Sequence, residues 1–151
     1  MSALLFRPEA FRDRIENFGF QYLSFETRKL AQGQKYDGNT AGNELAMVVL
    51  GGLCSVKTPS GDWSRIGGRA SVFDGLPYTL YLPIDTAFSV TADTDCDLAF
   101  CYCAAEERHP ARLVTPDDVR MAAVDCLQRA RLGVAVVGPL KDKAEVEKWL
   151  G

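Results

Sequence analysis

Residues 44–57, ELAMVVLGGLCSVK, contain two short apolar runs separated by Gly51 and Gly52. Runs of this length that end at a turn signal are typical of β-strands. Paired glycines readily supply the positive φ angles of a tight turn. We therefore predict strands at residues 44–50 and 53–57, with the glycine pair in a hairpin between them.

Similar runs extend this pattern in both directions. Further strands are predicted at residues 20–30, 68–73, 78–82, 88–92 and 97–103, separated by sequences such as Pro59-Ser60-Gly61-Asp62 and Asp93-Thr94-Asp95. Short strands at regular spacing predict a β-sandwich or a β-barrel. We expect residues 1–114 to form this barrel domain, preceded within it by a short helix at residues 8–17.

The C-terminal residues change to a helical pattern. Thr115 suits an N-cap, Pro116 the first helical position, and the acidic Asp117 and Asp118 suit the positive end of the helix dipole. An apolar stripe follows at helical spacing, made of Val119, Ala122, Ala123, Cys126, Leu127 and Ala130. We predict that this helix ends before Gly133, followed by a short strand at 133–138 and a helix at 141–150. Residues 115–151 would then form a helical extension packed on the barrel, within the same domain.

Composition limits the class of protein. The chain has 151 residues, 47% of them hydrophobic and 25% charged, as expected of one globular domain. A net charge of −3 offers no basic surface for nucleic acid or an anionic membrane. The apolar runs are too short to span a bilayer and the N-terminus lacks a signal pattern, so we expect a cytoplasmic protein. With no such signal, the five cysteines are predicted to be buried free thiols rather than disulfides or zinc ligands.

Few residues suit catalysis. The chain has one histidine, His109, in a charged loop, which argues against His-based nucleophilic catalysis and against a His-rich metal site. The carboxylates at predicted strand ends are Asp37, Glu44, Asp74 and Asp85. Glu44 opens an apolar run, so it either points into the barrel as a functional group or forms an ion pair, for example with Arg69.

Aromatic and basic residues suit a sugar site. Tyr78, Tyr81, Trp63 and Arg69 can supply stacking and polar contacts, and packing in the core or at its rim is the alternative role.

Four segments carry a resemblance to a known family. They are residues 39–52 (NTAGNELAMVVLGG), 67–83 (GGRASVFDGLPYTLYLP), 88–95 (FSVTADTD) and 109–119 (HPARLVTPDDV). Over residues 22–119 the chain resembles the N-terminal half of 5-deoxy-glucuronate isomerases of inositol catabolism, a cupin family. The resemblance implies a mostly β fold, a cupin-like barrel or jelly roll, with C-terminal helices. In that family two cupin barrels share one chain and the metal site lies in the second, so this chain is expected to hold only the first.

The cupin metal pattern can be compared residue by residue. Glu44 and Gly51 keep their spacing, whereas Asp37 and Asn39 stand where histidines are expected and Phe88 stands at the second-motif ligand position. A single carboxylate does not hold a transition metal tightly. We therefore expect no metal and no other cofactor in this barrel.

Two functions follow from these observations. The resemblance implies aldose–ketose isomerisation of a sugar acid, with Glu44 as the base and with Arg69, Tyr78, Tyr81 and Asn43 as substrate-binding residues. The missing histidines instead favour a catalytically silent, metal-free cupin that binds a sugar or assists assembly. In either case we expect a homodimer, because pairing covers exposed sheet edges.

Overall fold

The computed structural model describes residues 22–128, together with Ala144 and Lys148. This part contains nine strands and one helix, with the following bounds: β1 Leu23–Leu30, β2 Lys35–Asn39, β3 Asn43–Gly51, β4 Leu53–Thr58, β5 Gly61–Gly67, β6 Thr79–Leu82, β7 Ala87–Ala92, β8 Cys96–Ala104, β9 Arg112–Val114 and α1 Pro116–Cys126. The predicted helix at 8–17, strand at 133–138 and final helix at 141–150 lie outside the described residues, apart from Ala144 and Lys148.

The strands form two antiparallel sheets. Sheet A has the order β1-β8-β3-β6-β9 and sheet B has the order β2-β7-β4-β5. The pairs β1–β8, β2–β7, β3–β6 and β4–β5 join the first strand to the eighth, the second to the seventh and so on inward. This order is that of an eight-stranded jelly roll, with β9 added at one edge. The mostly β fold predicted from the sequence is confirmed.

The core lies between the sheets. In β3 the side chains of Leu45, Met47 and Val49 are 0% exposed, and the residues between them are partly exposed. Successive side chains in a strand point to opposite faces, so the buried residues define the inner face. Apolar residues from β4, β6, β7 and β8 complete the same core, among them Leu80, Val90 and Phe100.

Three strands were not predicted: β2, β5 and β9. All three are at the edges of their sheets, in the orders β2-β7-β4-β5 and β1-β8-β3-β6-β9. An edge strand has one partner and one exposed side, so its sequence does not need a continuous apolar pattern. Pairing with β7, for example, holds the polar residues of β2 in an extended conformation.

The predicted strand at residues 68–73 is wrong, since these residues form a loop between β5 and β6. Gly67 and Gly68 have φ angles of +110° and +119°, which turn the chain away from the extended direction. The Arg69 guanidinium then donates to the carbonyls of Val49, Val72 and Gly75 and holds the loop against β3.

The hairpin predicted at Gly51-Gly52 is also wrong, and the pair Gly67-Gly68 forms no hairpin either. Gly51-Gly52 carries the chain from β3 in sheet A to β4 in sheet B, and Gly67-Gly68 leads from sheet B towards β6 in sheet A. Gly52 has φ +79°, and a Cβ at this position would lie 2.9 Å from the Cα of Cys96. The glycines are therefore needed for sharp turns, as predicted, but the turns join sheets rather than neighbouring strands.

The helix predicted after Thr115 is confirmed as α1, but it ends at Cys126, before Leu127 of the predicted stripe. Asp118 Oδ2 accepts hydrogen bonds from the backbone N and the hydroxyl of Thr115, at 2.8 and 2.6 Å, and Asp118 N donates to Thr115 Oγ1. This reciprocal arrangement is a capping box.

The chain divides into two compact units after Val119. No helix in the described part of the chain is long and apolar enough to cross a membrane.

Candidate functional site

Glu44 and Tyr81 lie on the outer face of sheet A. Both alternate along their strands with fully buried residues, Leu45 beside Glu44 and Leu80 beside Tyr81. Of the two alternatives for Glu44, the one in which it points into the barrel is therefore wrong. Its carboxylate belongs to the opposite side of the sheet, because a shift of one residue along a strand reverses the face.

A hydrogen bond joins the two side chains. Tyr81 Oη donates to Glu44 Oε2 at 3.1 Å, between diagonal positions on the neighbouring strands β3 and β6. Partial burial raises the pKa of the Tyr81 phenol, and the hydrogen bond and charge of Glu44 raise this pKa further. The structure thus places a carboxylate beside a phenol that stays neutral at physiological pH, the two kinds of group that proton transfer requires.

A cation adjoins this pair. Arg112 in β9 is directly opposite Tyr81 in β6, so both side chains project from the outer face of sheet A. The guanidinium of Arg112 is exposed and contacts Asp118 at 3.3 Å. Sequence reasoning missed Arg112 because β9 has only three residues, and only the register with β6 brings it beside Tyr81.

The same face carries two thiols. Cys103 is opposite Glu44 and Cys101 is opposite Ala46, both in the register of β3 with β8. Both cysteines are partly exposed free thiols, so the prediction of buried thiols holds for Cys54 and Cys96 but not for these two or for exposed Cys126.

The other predicted binding residues have different contacts. Arg69 is bound to backbone carbonyls of β3 and of its own loop, and it does not form the ion pair with Glu44 that was one of the two alternatives. Tyr78 and Trp63 pack against the edge of the hydrophobic core. Asn43 Nδ2 donates to the carbonyl of Thr40 at 3.3 Å and closes the turn before β3. A role for Arg69, Tyr78 or Asn43 in substrate binding stays a prediction.

The positions matched to cupin metal ligands do not converge. Asp37 and Asn39 are exposed on β2, whose Tyr36 and Gly38 are the less exposed, inward residues. Phe88 does face the interior, where its ring stacks on Phe100. An aromatic interior lacks the donors that a transition metal needs. Within residues 22–128, no group of three or more His, Cys, Asp or Glu side chains could hold a metal ion.

The jelly roll has a buried charge that the sequence analysis missed. Glu26 in β1 is 3% exposed, and its Oε1 accepts hydrogen bonds from Arg28 Nε and from Tyr36 Oη. The Arg28 guanidinium also lies over the Tyr36 ring, with 4.3 Å between Cζ and the ring centroid. Alternation in the segment SFETRK places Glu26 and Arg28 on one face of the strand, and this is the signal that could have revealed the pair.

These charges change the pKa values of the two partners. Burial alone would lower the pKa of Arg28, but the hydrogen bond and charge of Glu26 outweigh it and the net pKa is raised. The pKa of Tyr36 is raised by burial first and then by the charge of Glu26. Arg28 is therefore a permanent cation, and Tyr36 remains a neutral hydrogen-bond donor at physiological pH.

The strand order defines the class of protein, an eight-stranded jelly roll. Comparison with known proteins is more specific, since residues 11–131 match the model of the KduI/IolB family. The chain belongs to this family, as the resemblance implied.

Individual relatives agree with the family match. The chain is 35% identical over 105 residues to a 5-deoxy-glucuronate isomerase of Geobacillus kaustophilus, covering 69% of this chain and 38% of the relative. It is 31% identical over 103 residues to the 5-deoxy-glucuronate isomerase of Bacillus subtilis strain 168, with coverage of 68% and 38%.

A solved structure gives the same result. The crystal structure of an IolB-like protein from Salmonella typhimurium LT2 superimposes with a TM-score of 0.67 and 34% sequence identity, covering 70% of this chain and 41% of that protein. The chain thus spans about two fifths of the length of the relatives that it matches.

Proposed function

We propose that this chain takes part in the aldose–ketose isomerisation of a sugar acid, in the manner of a 5-deoxy-glucuronate isomerase. The observation that carries the proposal is its membership of the KduI/IolB family, with 35% identity to a relative of that name. The alternative of a catalytically silent cupin gains no support from these comparisons. Because the matched part is 38% of that relative, activity of the isolated chain is the point to test.

The outer face of sheet A offers the groups for this chemistry. Aldose–ketose isomerisation moves a proton from the carbon beside the aldehyde to the aldehyde carbon, while a hydroxyl proton moves between the two oxygens. Glu44 acts as the base that takes the carbon-bound proton and returns it to the neighbouring carbon. The hydroxyl of Tyr81, which donates to Glu44 in the free protein, turns to the carbonyl oxygen when the sugar binds, gives that oxygen its proton and takes one back from the neighbouring hydroxyl.

Arg112 supplies the recognition of the acid. Its guanidinium is exposed on the same face, in register with Tyr81. An arginine binds a carboxylate through two parallel N–H donors, which fixes both position and orientation. A sugar acid held there by its carboxylate would extend across the sheet towards Tyr81 and Glu44.

Proton NMR of 5-deoxy-glucuronate incubated with the purified protein tests this function, with and without added zinc or manganese. We expect conversion to the ketose, and we expect Glu44→Gln to lower kcat by about 10²- to 10⁴-fold. Glu106→Gln is the matched control, since Glu106 is an exposed carboxylate in the loop after β8. An unchanged rate in Glu44→Gln would exclude Glu44 as the base. Absence of turnover under every condition would contradict the isomerase proposal for the isolated chain and leave binding or assembly as its role.

A further inference from the structure

Arg28 lies where the two sheets meet at one edge of the jelly roll. β1 is the edge strand of sheet A and β2 is the edge strand of sheet B. Glu26 and Arg28 from β1 meet Tyr36 from β2 between the sheets. The position is on the inner side of β1, whereas Glu44 and Tyr81 are on the outer face of sheet A.

The guanidinium of Arg28 is held on two sides. Its Nε donates to Glu26 Oε1, and the Tyr36 ring lies beneath its plane at 4.3 Å. Tyr36 is fixed in turn, because its hydroxyl donates to the same Glu26 oxygen at 3.1 Å. A planar group that is held in this way loses little further freedom when it binds a ligand.

Part of the Arg28 side chain is exposed. The Arg28 side chain is 32% exposed, while that of Glu26 is 4% exposed. The cluster thus consists of a buried carboxylate that anchors an arginine, whose side chain is partly exposed to solvent.

Stability alone does not account for such a pair. Taking a carboxylate out of water carries a large desolvation cost, and apolar residues in place of a buried ion pair are often as stable or more so. The remaining ion pairs of the described residues are exposed on both sides, such as Lys29–Asp97 at 3.6 Å. Glu26–Arg28 is the one whose carboxylate is buried, at the end of an aromatic interior made of Tyr36, Phe88 and Phe100.

We propose that Arg28 forms a binding site for the carboxylate of a small organic acid, with Glu26 and Tyr36 as the residues that position it. The carboxylate accepts one hydrogen bond from each terminal nitrogen. Glu26 balances the charge of Arg28 before binding, so the site selects a ligand by its paired oxygens rather than by a strong local field. The site rests on this geometry, and only the choice of a sugar acid as the preferred ligand rests on the proposed function.

NMR of the Arg28 side chain tests the site directly. The Nε–H group donates to a buried carboxylate, which slows its exchange with water and makes its signal observable. We expect D-glucuronate and acetate to shift this signal in a saturable manner, and the uncharged D-glucose to leave it unchanged. No saturable shift with glucuronate, or an equal shift with glucose, would overturn the proposal.

Variants test whether the two terminal nitrogens of Arg28 bind the ligand. Arg28→Lys keeps the charge but removes the paired donors, and we expect it to weaken glucuronate binding by about 10- to 100-fold. Lys29→Gln is the control, because Lys29 is the next residue in β1, faces the opposite side and is 85% exposed. Equal affinity in Arg28→Lys and the wild type would contradict the proposal. The wild-type titration stands by itself if a variant does not fold.

Failure of this site and failure of the proposed function give different results. Glucuronate binding at Arg28 without turnover of 5-deoxy-glucuronate would support the site and contradict the isomerase proposal. Turnover that persists in Arg28→Lys, with no shift of the Arg28 signal in the wild type, would support the isomerase and contradict the site.

Discussion

Glu44 and Leu45 are neighbours in the sequence and lie on opposite faces of β3. Leu45 is 0% exposed in the core, and Glu44 bonds to Tyr81 outside it. The apolar run that follows Glu44 correctly predicts a strand. Its alternation also predicts which residues share a face, but it does not say which face carries a site. That choice depends on the partner strands, which the sequence does not name.

The Glu44–Tyr81 contact predicts a pH dependence. The pKa of Tyr81 is raised above its usual 10.0, by burial first and then by Glu44. The folded state therefore prefers the neutral phenol. This preference adds to the free energy of unfolding. The contribution is fully present below about pH 10 and is lost as the pH rises through the raised pKa of Tyr81.

NMR titration of ring-labelled tyrosine measures this effect. We expect Glu44→Gln to lower the pKa of Tyr81, because the substitution removes the negative charge beside the phenol. Tyr36 is the internal control, since its raised pKa depends on burial and on Glu26 rather than on Glu44. A Tyr81 pKa that is the same in both proteins would show that the hydrogen bond does not form in solution.

Gly38 in β2 predicts a steric limit inside the jelly roll. A Cβ at this position would overlap the Phe88 ring, with Cε2 at 2.8 Å, and Phe88 is itself held against Phe100. We expect Gly38→Ala to lower the free energy of unfolding by about 1–3 kcal/mol, as overpacking does in other cores. Denaturant unfolding measures the change. Gly42→Ala is the control, because nothing lies within 4 Å of its added Cβ. Equal stability of the two variants would contradict the packing described here.

At the scale of elements, burial on β4 and β8 predicts the order of thiol reactivity. Burial raises the pKa of Cys54 to about 12 and that of Cys96 to about 11. Because the thiolate is the reactive form, both should resist alkylation near neutral pH in the native protein. Cys126, at the end of α1, is exposed.

Mass spectrometry after brief treatment with iodoacetamide at about pH 8 tests this order. We expect Cys126 to be modified first, and Cys54 and Cys96 only after a denaturant is added. Modification of Cys54 at the rate of Cys126 would mean that the sandwich opens readily in solution.

The central and edge strands differ in how well their sequences predict them. The central strands β3 and β8 are long, alternate clearly and were predicted within one or two residues of their observed bounds. Of the four edge strands, β2, β5 and β9 were not predicted, whereas β1, which carries more apolar and aromatic residues, was. An edge strand is held by the ladder with its neighbour more than by its own side chains, so its sequence carries a weak signal.

At the scale of the whole molecule, we expect the predicted homodimer to form through the loop after β5. The loop after β5 exposes Phe73 (92%) together with Val72 and Leu76. Arg69 and a hydrogen bond between Ser71 and Asp74 hold the loop in one conformation. Ordered apolar side chains at a surface are typical of protein interfaces.

Light scattering coupled to gel filtration measures the association. We expect a mass of twice the 16.6 kDa chain and a shift towards the monomer in Phe73→Ser. Met121→Ser tests a different exposed apolar side chain, on α1, and should leave the mass unchanged. A wild-type mass of one chain would contradict the homodimer.

The sequence by itself determined the fold class, the family, most of the central strands and the capped helix at Thr115. These features depend on local patterns: alternation within a strand, turn residues between strands and hydrogen bonds within one helical turn. The tertiary structure alone decided that Glu44 lies outside the barrel, that Arg112 lies beside Tyr81, and that Glu26 holds Arg28 against Tyr36. Each of these contacts joins strands that are distant in sequence or depends on which side of a sheet is covered. Strand register and the packing of the two sheets decide these contacts, because the sequence of one strand does not specify which strands pair with it.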